Sequence, residues 1–408
     1  MVSMQLSPEH PLLPARAIDL AAPLTDLDAA RLALIASPDL NAIRAQAGVS
    51  QAQLYAAGLV PDPQLSLSVD RPDAAGLVNA MAAGLTFDLA SLFTHADRVA
   101  GARSNVAKVR LDVAWSEWLA LNQVRTLVRR ILALERQVAV AGQAAAAAAE
   151  LYELAERNMT HGDARLDDVT VYQIGYLDAQ DRLLALKRQL TAARQELNAV
   201  IGIPPHMALA LSSASQLHSL EALDVNALVS EAAHGRLDIR ALQAGYAAQE
   251  RGVRVATRNA LPLPQLSFNR TRDTSAIWTG GVGIGAALPL WNRNRGEISM
   301  ATATRAQLAA EYAARIHRAR ADIFAQVEDL RAIDAERRAL AGEIPRLEES
   351  ARVIAQATRE SSLPLVTYET VRAALLAKQL SLLALEQAQS EGEVVLETSI
   401  GKLLWETP

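Results

Sequence analysis

The chain alternates between two periods. Leu65, Leu67 and Val69 interleave with Ser66, Ser68 and Asp70, a period of two that predicts a strand. A turn with Pro72 and Gly76 leads to a second, small-residue strand from about Ala80 to Leu89. The period then lengthens: Val106, Val109, Val113, Trp118, Leu121, Val124, Val128, Ile131, Leu134 and Val138 recur at three- and four-residue steps. With no proline between Ser91 and Met159, this reads as one helix of roughly 100 Å. Such a helix is too long for the inside of a compact domain and implies a coiled coil or a helical tube.

A helical region opens at Thr25-Asp-Leu-Asp and continues past Pro38 to about Leu59, where Pro61 and Pro63 end it, because proline cannot extend a helix and pushes its predecessor toward extended geometry. The long helix breaks at Asn158-Met-Thr-His-Gly-Asp-Ala-Arg-Leu-Asp-Asp-Val, with Gly162 as terminator and Asp163 as a cap for the returning helix. That helix stops at Gly202 and the Pro204–Pro205 pair. After a polar linker and a short helix (about Asp224–Ala233), the plan repeats. Leu237-Asp-Ile echoes Pro38-Asp-Leu at a shift of 199, Pro262-x-Pro264-Gln-Leu-Ser echoes Pro61-x-Pro63-Gln-Leu-Ser at 201, and Leu396-Glu-Thr-Ser-Ile-Gly401 echoes Leu197-Asn-Ala-Val-Ile-Gly202 at 199. Three markers in one order with nearly one shift indicate a tandem duplication.

The expected organisation is an extended arm over 1–24 and a first unit over 25–205, with its hairpin at about 64–90, long helix at about 91–159 and tip at about 160–168. A linker and equatorial segment follow over 206–235. The second unit spans 236–408, with its hairpin at about 264–291, long helix at about 295–359 and tip at about 360–366. The fold class is mainly α with a small β part, each unit reading helix, β-hairpin, very long helix, reversal, helix.

Composition narrows the task. Half of the 408 residues are apolar but only 4 % are aromatic, which suits long, closely packed helices. A net charge of −5 gives no electrostatic reason to expect nucleic acid, and zero cysteines exclude disulfides and thiolate metal sites. No apolar run reaches the length of a membrane-spanning helix, whereas a barrel strand needs only about 9–11 alternating residues. Met1-Val-Ser-Met-Gln-Leu-Ser-Pro-Glu-His-Pro lacks the basic and apolar regions of a secretory signal. A removed signal, a misplaced start and a cytoplasmic protein all remain open. Two strands are unstable alone and four cannot close a barrel, so pooling hairpins between chains is the expected way to remove their edges.

These features resemble the TolC-type outer-membrane efflux family over nearly the whole chain from about residue 25. The resemblance rests on the Pro-x-Pro-Gln-Leu-Ser lead-ins at Pro61, Pro63, Pro262 and Pro264, and on Leu288-Pro-Leu-Trp-Asn-Arg-Asn-Arg-Gly-Glu-Ile at the second hairpin's exit, with Pro289, Trp291, Asn292, Arg293 and Gly296. Arg236-Leu-Asp-Ile-Arg-Ala-Leu-Gln-Ala and Leu197-Asn-Ala-Val-Ile-Gly add to it. The exit motif looks most like the CzcC-like subgroup that works with heavy-metal cation exporters. The resemblance implies a homotrimer in the outer membrane, a twelve-stranded barrel continued by a periplasmic helical tunnel. Its partners would be a periplasmic adaptor and an inner-membrane pump of the RND type, with outer-membrane lipid around the barrel. It implies passive conduction, no enzyme activity and no cofactor.

The family's tips form the periplasmic mouth. Gly162 and Leu166-Asp167-Asp168-Val169 match its glycine-to-Asp-Val tip, and in a trimer Asp168 would form a carboxylate ring that favours cations. The second unit departs from this, with Glu360 at the glycine position and Val366 at the aspartate position; Glu369 stands where the family has a second acid. Equally, Asp167, Asp168 and Glu369 read as solvated acids near helix N-termini. Gly281-Val-Gly-Ile-Gly is followed by Leu288-Pro-Leu rather than a helix, so it reads as a strand and not a phosphate loop. The seven histidines show no metal-ligand spacing, and no nucleophile, base and orienting group cluster. Trp278 and Trp291 are expected near the ends of the fourth strand as interfacial aromatics, with the Asn292–Arg295 charges outside lipid. The competing function is a soluble coiled-coil scaffold whose hairpins mediate assembly.

Overall fold

The computed structural model describes residues 22–73, 75–162, 165–212, 217–221, 223–360 and 363–405. In chain order they form α1 (Asp26–Ala36), α2 (Pro38–Gly58), β1 (Gln64–Asp70), β2 (Ala80–Asp88), α3 (Ala90–Thr160), α4 (Leu166–Ile201), α5 (Val225–Gly235), α6 (Leu237–Arg258), β3 (Pro264–Arg272), β4 (Trp278–Ala286), α7 (Arg295–Arg359) and α8 (Leu365–Ile400). The fold is mainly helical with one small antiparallel sheet. Most of the arm expected over 1–24 lies outside the described residues. Asp163 lies outside them as well.

The first helical region is two helices, because Ser37 leaves the helix between Ala36 and Pro38 with ψ 121. Pro38 then opens α2, a position where its missing N–H costs nothing. The Thr25 side chain caps α1, accepting from the Asp28 N–H at 3.2 Å while its hydroxyl donates to Asp28 at 2.8 Å. The second long helix runs through Pro345 without ending.

The chain divides into two compact units. One comprises the described residues of Met1–Ala42, Ala114–Arg236 and Arg318–Pro408, the other those of Ile43–Val113 and Leu237–His317. The first unit carries a hydrophobic core of its own. Leu220, Leu228 and Ala232 meet Ile323, Val327 and Leu330 of α7 and Leu396 and Ile400 of α8. At about 1.5–3 kcal/mol for each large aliphatic side chain, such burial dominates local stability. Trp118 is fully buried and donates its indole N–H to the Thr398 carbonyl at 3.2 Å.

The duplication is visible in this unit at atomic detail. α4 ends at Gly202 with φ 85 and α8 at Gly401 with φ 84, the left-handed conformation that favours glycine. The N–H groups of Gly202 and Ile203 donate to the Asn198 carbonyl, and those of Gly401 and Lys402 to the Glu397 carbonyl. A Cβ at Gly202 would lie 2.5 Å from Pro38 Cδ, and one at Gly401 would lie 3.1 Å from Arg236 Cγ. Each cap therefore closes on the residue that opens, or immediately precedes, a helix of its own repeat.

The second unit holds the sheet, in the order β1-β2-β3-β4 with every neighbour antiparallel. β1 and β2 pair through Leu65↔Leu85 and Leu67↔Ala83, β2 and β3 through Leu85↔Phe268, and β3 and β4 through Phe268↔Val282. Both hairpins contain the same serine–glycine cross-strand pair. Ser66 donates to the Gly84 carbonyl at 3.4 Å, and Ser267 to the Gly283 carbonyl at 3.2 Å. A Cβ on either glycine would fall within 2.7 Å of the serine oxygen, so the glycine-rich run is strand whose missing side chains make room for a hydroxyl. Among the described residues no strand pairs with the outer edge of β1 or β4, and no helix is long and apolar enough to cross a membrane.

Candidate functional site: a two-faced sheet and an acidic helix reversal

Side chains alternate across a strand, so the register assigns the sheet two chemically distinct faces. One carries Leu65, Leu67 and Val69, then Met81, Ala83, Leu85 and Phe87, then Leu266 and Phe268, then Val282 and Ile284. The other carries Gln64, Ser66, Ser68, Thr86, Gln265, Ser267, Asn269 and Thr279, with Gly281, Gly283 and Gly285. In a water-soluble sheet the apolar face would be the buried one. Here it is open: Leu67 is 73 % and Ile284 79 % exposed, and Leu65, Val69 and Val282 are exposed with them. A contiguous apolar face of this kind marks a surface that something apolar must cover.

The residues singled out around the hairpins lie as follows. Pro61 and Pro63 precede β1 in non-regular backbone, Pro262 precedes β3, and Pro264 is its first residue. Both lead-ins are places where a missing N–H is tolerated. Trp278 opens β4, whereas Trp291 lies five residues beyond its end at Ala286 and is 87 % exposed. The exit from 287 to 294 is irregular. It turns through Arg293 and Asn294, at φ 48 and 53, and Asn294 donates to the Ala256 carbonyl at 2.7 Å. Pro289 and Asn292 lie in this segment, and Gly296 is in the first turn of α7.

The first reversal turns at Gly162, φ 83, with open space where a Cβ would stand. Asp167 is exposed in the first turn of α4 and pairs with Arg165 at 3.3 Å. The backbone of Asp168 is in the same turn, while its side chain lies outside what is described. Glu369 differs from the expected solvated acid. Its side chain is only 5 % exposed, and it meets Arg372 at 3.3 Å, which also reaches Glu150 of α3 at 3.3 Å. Burial pushes the Glu369 carboxyl above its ordinary value; Arg372 opposes the shift and the Glu150 charge adds to it. Glu360 and Val366 flank the second reversal, Glu360 in its turn and Val366 in the first turn of α8.

Above the reversals, α3, α4 and α8 enclose a groove of about 410 Å³ lined by Ala141, Ala144, Ala148, Tyr172, Gly175 and Ala373 among others. Small side chains of this kind let another helix approach closely. Among the described residues there is no group of three or more His, Asp or Glu side chains able to hold a metal ion.

A buried charge network escaped the sequence analysis. Arg125, fully buried, reaches Glu397 at 2.6 Å, Asp26 at 3.5 Å and the Asn122 side-chain oxygen at 2.9 Å. Arg129 reaches Asp26 at 3.1 Å and Glu393 at 3.5 Å, and Glu393 accepts from the His218 N–H at 3.0 Å. The His218 ring stacks on Trp405 at 5.2 Å. The available signal was the i, i+4 spacing of Arg125–Arg129 and of Glu393–Glu397.

With this geometry established, comparison with known proteins supplies the context. The outer membrane efflux protein family matches residues 29–203, the first repeat. Among solved structures, CusC, whose crystal structures concern folding and transmembrane channel formation, superposes with a TM-score of 0.74 at 16 % identity, over 92 % of this chain and 91 % of that one. The outer membrane protein VceC of Vibrio cholerae gives 0.73 at 17 %, over 92 % and 95 %. The CmeC outer membrane channel of Campylobacter jejuni gives 0.76 at 14 %, over 92 % and 85 %. No curated protein matches the chain in sequence. The fold is that of these channels along nearly the whole chain, including the second repeat.

Proposed function

We propose that this protein, a TolC-type outer-membrane efflux protein, is the exit duct of a tripartite system that carries heavy-metal cations from an inner-membrane pump, through a periplasmic adaptor, to the exterior. Three chains pool their four-stranded sheets into one closed twelve-stranded barrel and their long helices into a tunnel. The observation that carries this reading is the sheet with an open apolar face, a small and polar opposite face, and two unpaired edges. Only closure removes sheet edges in lipid. A barrel stave needs one face for hydrocarbon and one for water. A soluble scaffold has no use for that division.

Conduction in such a duct is passive: the pump supplies the energy and the duct a path. The cation reading is supported by the CzcC-like exit motif at 288–298 and by the acids of the first reversal. Asp167 and Asp168 occur three times around the axis of a trimer, and a ring of carboxylates raises the local cation concentration. The alanine-lined groove is the surface offered to a helix of the adaptor. The RND-type pump follows from the subgroup resemblance.

The test is planar-bilayer conductance of the purified channel. Asp168→Asn is expected to lower cation conductance and selectivity while leaving insertion unchanged. Wild-type conductance and selectivity in the variant would return Asp168 to an ordinary solvated acid. Full-length protein made with its native upstream sequence is expected in the outer-membrane fraction, and recovery in the cytosol would refute the duct itself.

A further inference from the structure

The apolar face of the sheet is interrupted in one place. Beyond Leu266 and Phe268, the same face of β3 continues with Arg270 and Arg272, the last two outward positions before the turn at 273–277. Arg272 stands directly opposite Trp278 of β4 and opposite Met81 of β2. The Arg270 guanidinium stacks over the Trp278 ring at 5.1 Å from its centroid. Two arginines therefore flank one tryptophan on a face otherwise made of aliphatic and aromatic side chains.

Neither guanidinium has a carboxylate partner among the described residues, and the Arg272 Nε is buried with no acceptor. The nearest acid in sequence is engaged elsewhere: Asp273 accepts from the Ser275 and Ile277 N–H groups at 2.9 Å each. On the opposite face, Thr271 and Thr279 bond to each other at 2.6 Å, so the polar contacts of that face do not draw the arginines through the sheet.

An arginine on the outward face is strongly unfavourable at the bilayer midplane and nearly neutral at the interface. Arg272, the last residue of β3 before the turn, thus sets the level of the headgroups. Arg270, two residues deeper, reaches that level by laying its guanidinium over Trp278, the residue opposite Arg272. At that level a planar guanidinium with free donors matches a phosphate, and stacking on Trp278 orients it.

We infer that Arg270, Arg272 and Trp278 form a binding site for the phosphate of an anionic lipid headgroup at the turn-side rim of the barrel. The inference rests on the reading of the sheet as a membrane stave. The site fixes the depth and rotation of each protomer by a specific lipid contact, in addition to the non-specific apolar band.

The test uses the full chain reconstituted in vesicles of phosphatidylcholine and phosphatidylglycerol in equal amounts, checked by flotation, then released gently for native mass spectrometry. The wild type is expected to retain the anionic lipid with a preference of about thirtyfold, from two arginines at the membrane surface. R270Q/R272Q is expected to retain the two lipids nearly equally. R270K/R272K, which keeps both charges but loses the planar fork and its stack on Trp278, is expected to keep clearly less of the preference than the wild type. A lysine variant equal to the wild type would reduce the contact to non-specific charge attraction and overturn the inference. Inorganic phosphate added during release should not displace the lipid; displacement would make this a free-anion site and overturn the assignment. A wild type that floats but retains both lipids equally, or a glutamine variant that floats and keeps the preference, overturns the inference alone. A wild type that does not float overturns the membrane reading beneath it.

Discussion

Val282 offers the sharpest separation between a membrane stave and a water-facing sheet. It is the central residue of β4, four residues from either end, and pairs with Phe268, the central residue of β3. At roughly 3.3 Å per residue, each strand end is about 13 Å away, which places Val282 near the middle of an apolar band about 25 Å tall. Its side chain is 68 % exposed in the single chain. In water, Val282→Arg would therefore change stability by no more than about 0.5 kcal/mol. In lipid, the same substitution costs about 2–4 kcal/mol per chain, or roughly 30- to 1,000-fold in the folding equilibrium. Ser68→Arg is the control, on an exposed position of the opposite face, where the side chain meets water in either case. The assay is urea titration of the protein folded into phosphatidylcholine vesicles, following the heat-modifiable band on gels. V282R should lose most of its folded population at urea concentrations the wild type tolerates, and S68R should track the wild type. V282R within about 0.5 kcal/mol of the wild type, or S68R as damaging as V282R, would refute the assignment of the two faces.

Two further outcomes concern the helical unit. Arg125→Met leaves Glu397 and Asp26 buried without the cation that joins them, which should cost about 3–5 kcal/mol in urea unfolding of detergent-solubilised protein. Replacing Arg125 and Glu397 together by apolar residues should recover part of that loss, and a single-variant loss below about 1 kcal/mol would show that the network contributes little. Glu369 gives a pH dependence. Because its folded carboxyl is raised above the ordinary value of 4.5, its contribution to stability is fully present below that value and is lost as pH rises through the folded one. Melting curves of wild type and Glu369→Gln should therefore agree near pH 4 and separate toward pH 7, with the variant the more stable. A difference independent of pH would mean that Arg372 cancels the effect of burial, leaving the carboxyl unshifted on folding.

What was legible in the sequence follows from what each signal depends on. The change from a period of two at Leu65–Val69 to steps of three and four beyond Val106 depends only on local geometry, and the strands and long helix appear where it falls. The duplication was legible because Gly202 and Gly401 are held by the same backbone requirement, a left-handed cap against its own repeat. The Ser37 break was hidden, because Pro38 is as acceptable at the first position of a new helix as it is unwelcome inside an old one. Pro345 shows the converse: a proline that α7 carries in its interior. The buried network was hidden for a different reason. Arg125 and Glu397 are far apart in sequence, and each sits on a helix where a charge at that spacing ordinarily means a solvated face. Burial of Glu369 is likewise a property of the packed helices and not of its own turn.

The two units differ in what they can do without a partner. The first closes a core around Ile323, Val327, Leu330, Leu396 and Ile400 from its own residues. The sheet of the second has no comparable core on its apolar face, where Leu65, Leu67, Val282 and Ile284 remain exposed, and its outer strands β1 and β4 each present a row of unpaired backbone groups. Leaving such edges open in hydrocarbon costs several kcal/mol for every unsatisfied group, while covering the face but not the edges invites pairing with the wrong chain. Both defects are removed only when lipid covers the face and other copies of the same sheet cover the edges. In the duct proposed for this chain, insertion and assembly of the sheet would therefore be one event, whereas the first unit carries a core of its own.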